Sequence, residues 1–180
     1  MLAGELYSPA DPELSRARNR ARRLCREFNA TTEEETDRRA RLLGELFGAV
    51  GPRVEVEPPL RCDYGFNIRA GDNLYANFGC VFLDCAPITL GRNVFLGPGV
   101  HLYGATHPID DRVRAEGREL ARPITIGDDV WIGGGVIVCP GVTIGDRCVI
   151  GAGSVVTRRI PAGHVGAGNP CRVLREIDRD

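Results

Sequence analysis

Aromatic side chains are scarce in this chain, at 6% of 180 residues, with a single tryptophan. That argues against a wide core filled by rings and for a narrow interior lined by aliphatic side chains. An excess of one charge is also missing. The formal net charge is −1, so no overall field recruits nucleic acid or an anionic membrane. No apolar run approaches the ~20 residues that span a bilayer. The opening Met1-Leu-Ala-Gly-Glu lacks the basic and apolar regions of a signal peptide. Seven cysteines are scattered without the close pairing of a metal site, as expected of free thiols in a reducing cytoplasm. What remains is one domain with, at most, a small appendage.

What the chain has in quantity is glycine, 23 residues, beside a hydrophobic content of 43%. From Ile124 to Pro161 it repeats every six residues. One aliphatic column is Ile126, Ile132, Val138, Ile144, Ile150 and Val156; a second, four residues on, is Val130, Val136, Val142, Cys148 and Ser154. Helices need apolar spacing near 3.6 and ordinary strands a spacing of 2, and a period of six fits neither. Short strands separated by turns do fit, three to a triangular coil, stacked by strand pairing at roughly 4.8 Å. The period therefore predicts a parallel β-helix. Upstream, Ile88, Val94, Val100 and Thr106 keep the same beat, with Leu90, Leu96 and Leu102 two residues behind. Ile68, Leu74 and Cys80 precede them, and the step from Cys80 to Ile88 slips by two. Between Thr106 and Ile124 the columns vanish but the phase is kept, which predicts a protruding loop over 107–123 that leaves the coil and rejoins it. Long loops in compact domains tend to carry function, and this one begins with His107.

The first third differs in kind. Asp11-Pro12 can cap and start a helix, along which Leu14, Ala17, Ala21, Leu24, Cys25 and Phe28 recur at helical spacing. Thr32 and Glu35 make a capping box for a second helix, striped by Leu42, Leu43, Leu46, Phe47 and Val50. Two helices thus lid the open end of the coil. The other face of the first carries Arg16, Arg18, Arg20, Arg22, Arg23 and Arg26. It reads as an anion site or, more simply, as a solvated surface paired with nearby glutamates. The organisation is a helical cap over 1–52, the β-helix over 53–167 and an extension over 168–180.

Several motifs add a resemblance. Met1-Leu-Ala-Gly-Glu-Leu-Tyr7, Asp11-Pro-Glu-Leu14, Tyr75-Ala-Asn77-Phe, Thr106-His107-Pro108, Pro123-Ile-Thr-Ile-Gly-Asp-Asp-Val-Trp131 and Asn169-Pro-Cys-Arg172 together resemble the hexapeptide-repeat acetyltransferases of the maltose and galactoside O-acetyltransferase group. The resemblance spans almost the whole chain. It implies a mainly β, left-handed parallel β-helix, although the usual crossover rule alone favours right-handed connections. It also implies acetyl-CoA as co-substrate with no metal, a sugar hydroxyl as acceptor, and a homotrimer with sites between subunits. Outward residues such as Ile137, Val149 and Val155 permit such packing.

By the same resemblance His107 is the general base and Asn77 stabilises the reacting centre. Asp63 and Tyr75 contact the acceptor, with Cys85 at a matching acceptor position, and Gly134, Ala152, Thr157, Arg158, Arg172 and Arg175 hold acetyl-CoA. Trp131, outward by the column count, walls the acceptor site or the pantetheine channel, or fills the trimer seam. A neutral imidazole suits proton removal from a hydroxyl, and an amide can donate to an oxyanion. Forked guanidiniums suit nucleotide phosphates, while Gly134 and Ala152 let a thin arm approach the backbone. Simpler readings stand beside these: a turn asparagine at 77, and an exposed C-terminal helix face for Arg172 and Arg175. Cys85 stands where galactoside-type relatives carry a carboxylate, and Asp63 where they carry serine. Other readings of the fold are an antibiotic or other small-molecule O-acetyltransferase, a non-catalytic solenoid, and a zinc-dependent anhydrase. The last needs three converging histidines; His101 and His107 are one hexapeptide apart, but His164 lies coils further on, so only a subunit interface would unite them.

Overall fold

Each hexapeptide supplies a short strand and a corner, and three of them carry the chain once around a triangular coil. The computed structural model describes residues 1–178. The coil's first face holds Ala49–Val50, Ile68–Ala70, Ile88–Leu90, Ile124–Ile126 and Thr143–Ile144. The second holds Glu55–Val56, Tyr75–Ala76, Phe95–Leu96, Trp131–Ile132, Val149–Ile150 and His164–Ala167. The third holds Arg61–Cys62, Val81–Leu83, His101–Tyr103, Ile137–Val138 and Val155–Val156. Pairing within each face is parallel from coil to coil. Among the described residues no helix is long and apolar enough to cross a membrane.

Both predicted columns point inward. Every member from Ile126 to Val156 and from Val130 to Ser154 is buried. Ser154 is tolerated there because its hydroxyl donates to the Gly151 carbonyl and accepts the Gly168 N–H at 3.0 Å, which cancels most of the cost of burying it. Upstream, Ile68, Leu74, Cys80, Ile88, Val94 and Val100 are buried in turn. Coil length is not constant. Ile68 pairs with Ile88, twenty residues on, whereas Thr125 pairs with Thr143, eighteen on. The two additional residues fall at the corner between the third and first faces, where Leu60 to Ile68 and Cys80 to Ile88 are steps of eight between buried column residues.

Helix α1 (Pro12–Asn29) starts at an Asp11 cap that accepts the Glu13 and Leu14 N–H groups. Its buried Ala21, Leu24, Cys25 and Phe28 join Leu42, Leu43 and Leu46 of α2 (Thr36–Leu46) in one cluster with the first coil. The lid is as expected, but α2 begins later than the capping box predicts. Thr32 donates its N–H to the Glu35 carboxylate at 2.8 Å in a turn that precedes the helix. Two further expectations are corrected, the inward place of Thr106 and the helical reading of the C-terminal end. Thr106 leaves the inward column and pairs with Leu120 in a two-stranded antiparallel ladder, Ala105–Thr106 with Leu120–Ala121. The 107–123 excursion is thus clamped at its base and carries a third helix, α3 (Asp111–Ala115), capped by Asp110. The C-terminal extension is strand, not helix: Arg172–Glu176 runs antiparallel to His164–Ala167. Its last two residues lie outside the described ones.

Ile132 is fully buried, at 0% exposure, between column neighbours above and below. Truncation to alanine removes three carbons from a stack with no room to collapse. Ile132→Ala should lower the unfolding free energy by about 2–5 kcal/mol, measured by denaturant titration; a loss below about 1 kcal/mol would mean that the column does not carry the fold.

Candidate active site

The corner between the third and first faces builds a polar cavity because its longer coils are pinned by one carboxylate. Asp84 is fully buried. Its Oδ1 accepts the Asp63 and Tyr64 N–H groups at 3.1 and 2.8 Å, and its Oδ2 accepts the Asn67 N–H at 3.3 Å. The Asn67 amide returns a bond to the Asp84 carbonyl at 2.7 Å. Burial raises the Asp84 carboxyl to about 6, against the opposing pull of these N–H donors. The corner leaves Asp63 half-buried, and burial raises its carboxyl as well. The Cys85 thiol donates to Asp63 Oδ2 at 3.4 Å, and burial pushes that thiol up to about 12. Cys85 is therefore a protonated donor near neutral pH and no nucleophile.

His107 overhangs this corner from the excursion. Its Nε2 lies 4.0 Å from Glu119 Oε1, and its imidazole stands between two cavities. One, of 370 Å³, is shared with Asp63, Tyr64, Cys85 and Glu119. The other, of 440 Å³, is shared with Arg122 and Pro140. Glu119 is fixed by the start of the chain. Tyr7 OH donates to Glu119 Oε2 at 2.6 Å, and the two residues exchange backbone N–H···O bonds at 3.0 Å in each direction. Burial holds the Tyr7 phenol far above its ordinary range, so it remains a donor.

The corner between the second and third faces holds a different groove, of 400 Å³, walled by Tyr75, Phe95 and Trp131. Its floor is glycine for a spatial reason. A Cβ on Gly97 would meet the Gly134 nitrogen at 2.5 Å, and one on Gly133 the Ala152 nitrogen at 2.6 Å. Coil-to-coil hydrogen bonds here leave from Gly133, Gly135, Gly151 and Gly153, so the N–H groups of Gly134 and Ala152 stand outside that ladder. Asn77 lines the groove with both of its expected characters. Its Oδ1 accepts the Phe78 N–H at 2.8 Å as a corner residue would, which leaves Nδ2 as the donor for a ligand.

Within one chain the predicted site residues fall into two sets that share no cavity. Tyr75, Asn77, Trp131, Gly134 and Ala152 line the groove. Asp63, Cys85 and His107 line the polar cavity. Thr157 and Arg158 are exposed at the same corner as His107, just beyond Val155–Val156. Arg172 and Arg175 are exposed on the antiparallel edge strand of the second face. Hence the chain does not by itself bring Asn77 to His107, or Tyr75 to Asp63. The three histidines do not converge either. His101 is paired with Tyr103 at 2.6 Å, and His164 contacts the Ala162 carbonyl at 2.9 Å. Among the described residues no group of three potential ligands could hold a metal ion. Sequence reasoning missed Phe95, Glu119, Tyr7 and Asp84. Phe95 was discoverable, since it occupies the register column between Tyr75 and Trp131. Glu119 and Asp84 carry no periodic signal.

Asp84 gives a test of the corner. An acid whose pKa folding raises binds its proton more tightly in the folded chain. Its contribution is present below the unfolded value, near 4, and is lost as pH climbs through about 6. The stability of the unmodified protein relative to Asp84→Asn should therefore fall between pH 4 and 7, read by denaturation at each pH. A difference that stays flat would contradict the burial argument.

Comparison with known proteins follows this geometry. Residues 1–51 match the maltose acetyltransferase hexapeptide capping motif, and residues 123–158 match the bacterial transferase hexapeptide, in six repeats. The chain is 49% identical to nodulation protein L of Rhizobium meliloti over 173 residues, covering 96% of this chain and 94% of that one. The crystal structure of a maltose O-acetyltransferase from Clostridium difficile superposes with a TM-score of 0.98 at 50% identity, covering 99% of this chain and 95% of the other. A galactoside acetyltransferase in complex with coenzyme A superposes with a TM-score of 0.95 at 45% identity, covering 98% and 88%. With this agreement running through cap, coil and excursion alike, the chain belongs to the hexapeptide-repeat acetyltransferases.

Proposed function

We propose that this protein transfers an acetyl group from acetyl-CoA to a sugar hydroxyl, in homotrimers whose sites form between neighbouring subunits. The observation that carries the reading is the position of the two residue sets. They lie along the two edges of one sheet, the third face. The outer side of that face presents half-buried Val81, Leu83, Ile137 and Val155. Three copies turning this face toward a common axis would close a ring. Each would then set its Asn77 edge against the His107 edge of the next. A reducing, cytoplasmic setting is part of this reading, because the seven scattered cysteines suit free thiols.

In this reading acetyl-CoA supplies an acyl group already activated as a thioester. The groove residues fit a slender arm: Gly134 and Ala152 offer N–H groups to its carbonyls, and Trp131 and Phe95 wall it. In this reading the exposed Arg158, Arg172 and Arg175, with Thr157, would meet the nucleotide end and its phosphates by forked donors. The acceptor rests against Asp63, Cys85 and Tyr75, whose carboxylate, thiol and phenol give directional hydrogen bonds to hydroxyls. His107 takes the hydroxyl proton as the oxygen attacks. The Asn77 amide donates to the negative charge that develops on the acyl oxygen. The imidazolium, steadied by Glu119, then returns its proton to the departing sulfur. Glu119 acts through the imidazole and is a positioning residue.

His107→Ala should reduce turnover by about 10²–10⁴-fold while coenzyme A binding, followed by calorimetry, is retained. Tyr7→Phe frees Glu119 from its strap and should cost about fivefold in kcat with little change in KM. Acceptors are compared by thiol release with maltose, glucose, galactosides and chloramphenicol. Reaction of chloramphenicol alone would overturn the saccharide assignment. For the composite site, His107→Ala and Asn77→Ala subunits are each inactive, yet when co-expressed they should recover roughly a quarter of full activity, the fraction of interfaces with both edges intact. Failure to recover any would refute shared sites.

A further inference from the structure

A second cavity, of 640 Å³, runs on from the His107 cavity along α1 and shares Arg22, Asp63 and Leu83 with it. Its distinctive lining is cationic. Arg18, Arg22 and Arg26 are spaced four apart on α1 and so form one row along the helix. Arg22 belongs to both cavities, Arg26 and Arg61 line the second, and Arg18 lines the first. Like charges at this spacing oppose the helix, and the acid they share a cavity with, Asp63, forms no ion pair with any of them. Arg23, Arg38, Arg39, Arg53 and Arg92 each have a carboxylate within 4.0 Å. Among the described residues Arg22, Arg26 and Arg61 do not, in common with most other arginines, and what sets them apart is that they line one cavity. Arg18 is committed to Tyr64 OH at 2.9 Å and to the Pro9 carbonyl, so it is scaffold. The expectation of a solvated face holds, since Arg22 and Arg26 are exposed; the pairing with glutamate holds for Arg23 and Glu27 but not for the row beside the cavities. The facing acids, Asp63 and Glu119, sit at the reactive end.

We propose that the acceptor is an anionic saccharide, its reactive hydroxyl at His107 and its phosphate or carboxylate held in the adjoining cavity by Arg22, Arg26 and Arg61. This deepens the acetyl-transfer reading and rests on it. Guanidiniums suit the role, since each offers forked donors to two oxygens of one anionic group. The chain contains no lysine at all. Three guanidiniums along one cavity would act together on a single anion, which an isolated exposed pair does not. Asp63 at the mouth favours the neutral, hydroxyl-bearing ring on the His107 side and repels the anionic end toward the arginines.

The test compares charged acceptors with their neutral partners in acetyl-CoA turnover. Glucose 1-phosphate is set against glucose for the phosphate arm, and lactobionate against lactose for the carboxylate arm. At least one charged acceptor should exceed its partner in kcat/KM by about tenfold or more at low salt, with the gap narrowing as ionic strength rises. Substitution of Arg22 and Arg26 together by glutamine should shrink that ratio at least about fivefold, and Arg61→Gln alone should shrink it less. Neutral sugars that react as well as their charged partners would overturn this inference and leave the transferase reading standing. A preference that survives the double substitution would also overturn it, because the anion would then be held elsewhere. Silence from every sugar tested would remove both proposals together.

Discussion

The architecture depends on aliphatic side chains lying directly above one another inside a narrow triangular coil. A parallel coil has no hairpin to fix its register, so register comes from the fit of each inward residue over the last. A one-residue slip would turn the column outward. Ile126 over Leu90 and Ile144 over Ile126 are held in this way, and the corner chemistry follows as a consequence. Asn73, Asn93 and Asp129 adopt positive φ at successive corners between the first and second faces, and they hydrogen-bond in a ladder at 2.9 and 2.6 Å. Only an exact repeat in height lets one amide reach the next.

The same constraint explains how chemistry is added without disturbing the stack. The inner columns accept only small changes, while the corners accept insertions. The coils lengthen by two residues where Asp84 gathers the backbone of Asp63 to Asn67. One coil higher the chain departs for nearly twenty residues and returns in phase, clamped by its own two-stranded ladder. Stacked irregularities at a single corner therefore make the polar cavity, while the regular neighbouring corner, floored with glycine, makes the groove. One rigid scaffold presents two dissimilar surfaces, each suited to a different half of a bimolecular reaction.

Much of this is legible in the sequence, because period six is an unusual signal and each column residue repeats it. The excursion is visible as a silence between Thr106 and Ile124, and the lid as two helical stripes. The chemistry is less legible. Asn77 and His107 are thirty residues apart, one and a half coils, and so occupy opposite edges of a face. Only counting hexapeptides in threes reveals this, and the eight-residue steps at Cys80 and Leu60 disturb that count. Thr32 and Glu35 satisfy a capping pattern but close a turn, since the helix can start equally well at Thr36. Arg172 and Arg175 carry no periodic apolar partners, so nothing local separates helix from strand, and pairing with His164–Ala167 decides. Glu119 acquires meaning only through Tyr7, a contact across 112 positions.

That long contact has a further bearing. The first few residues form no part of the stacked core; they are attached by Tyr7, buried in a small cluster with Tyr64, Cys85, Ala86 and Ala121, by a short backbone bridge to Glu119 and by Arg118, which donates to the Leu6 carbonyl. Segments held by a small satellite cluster open before a continuous core does. Fraying at the extreme amino end would therefore loosen the carboxylate beside the imidazole while every coil stayed intact. Amide exchange around Glu119 would rise without any change in the melting of the solenoid.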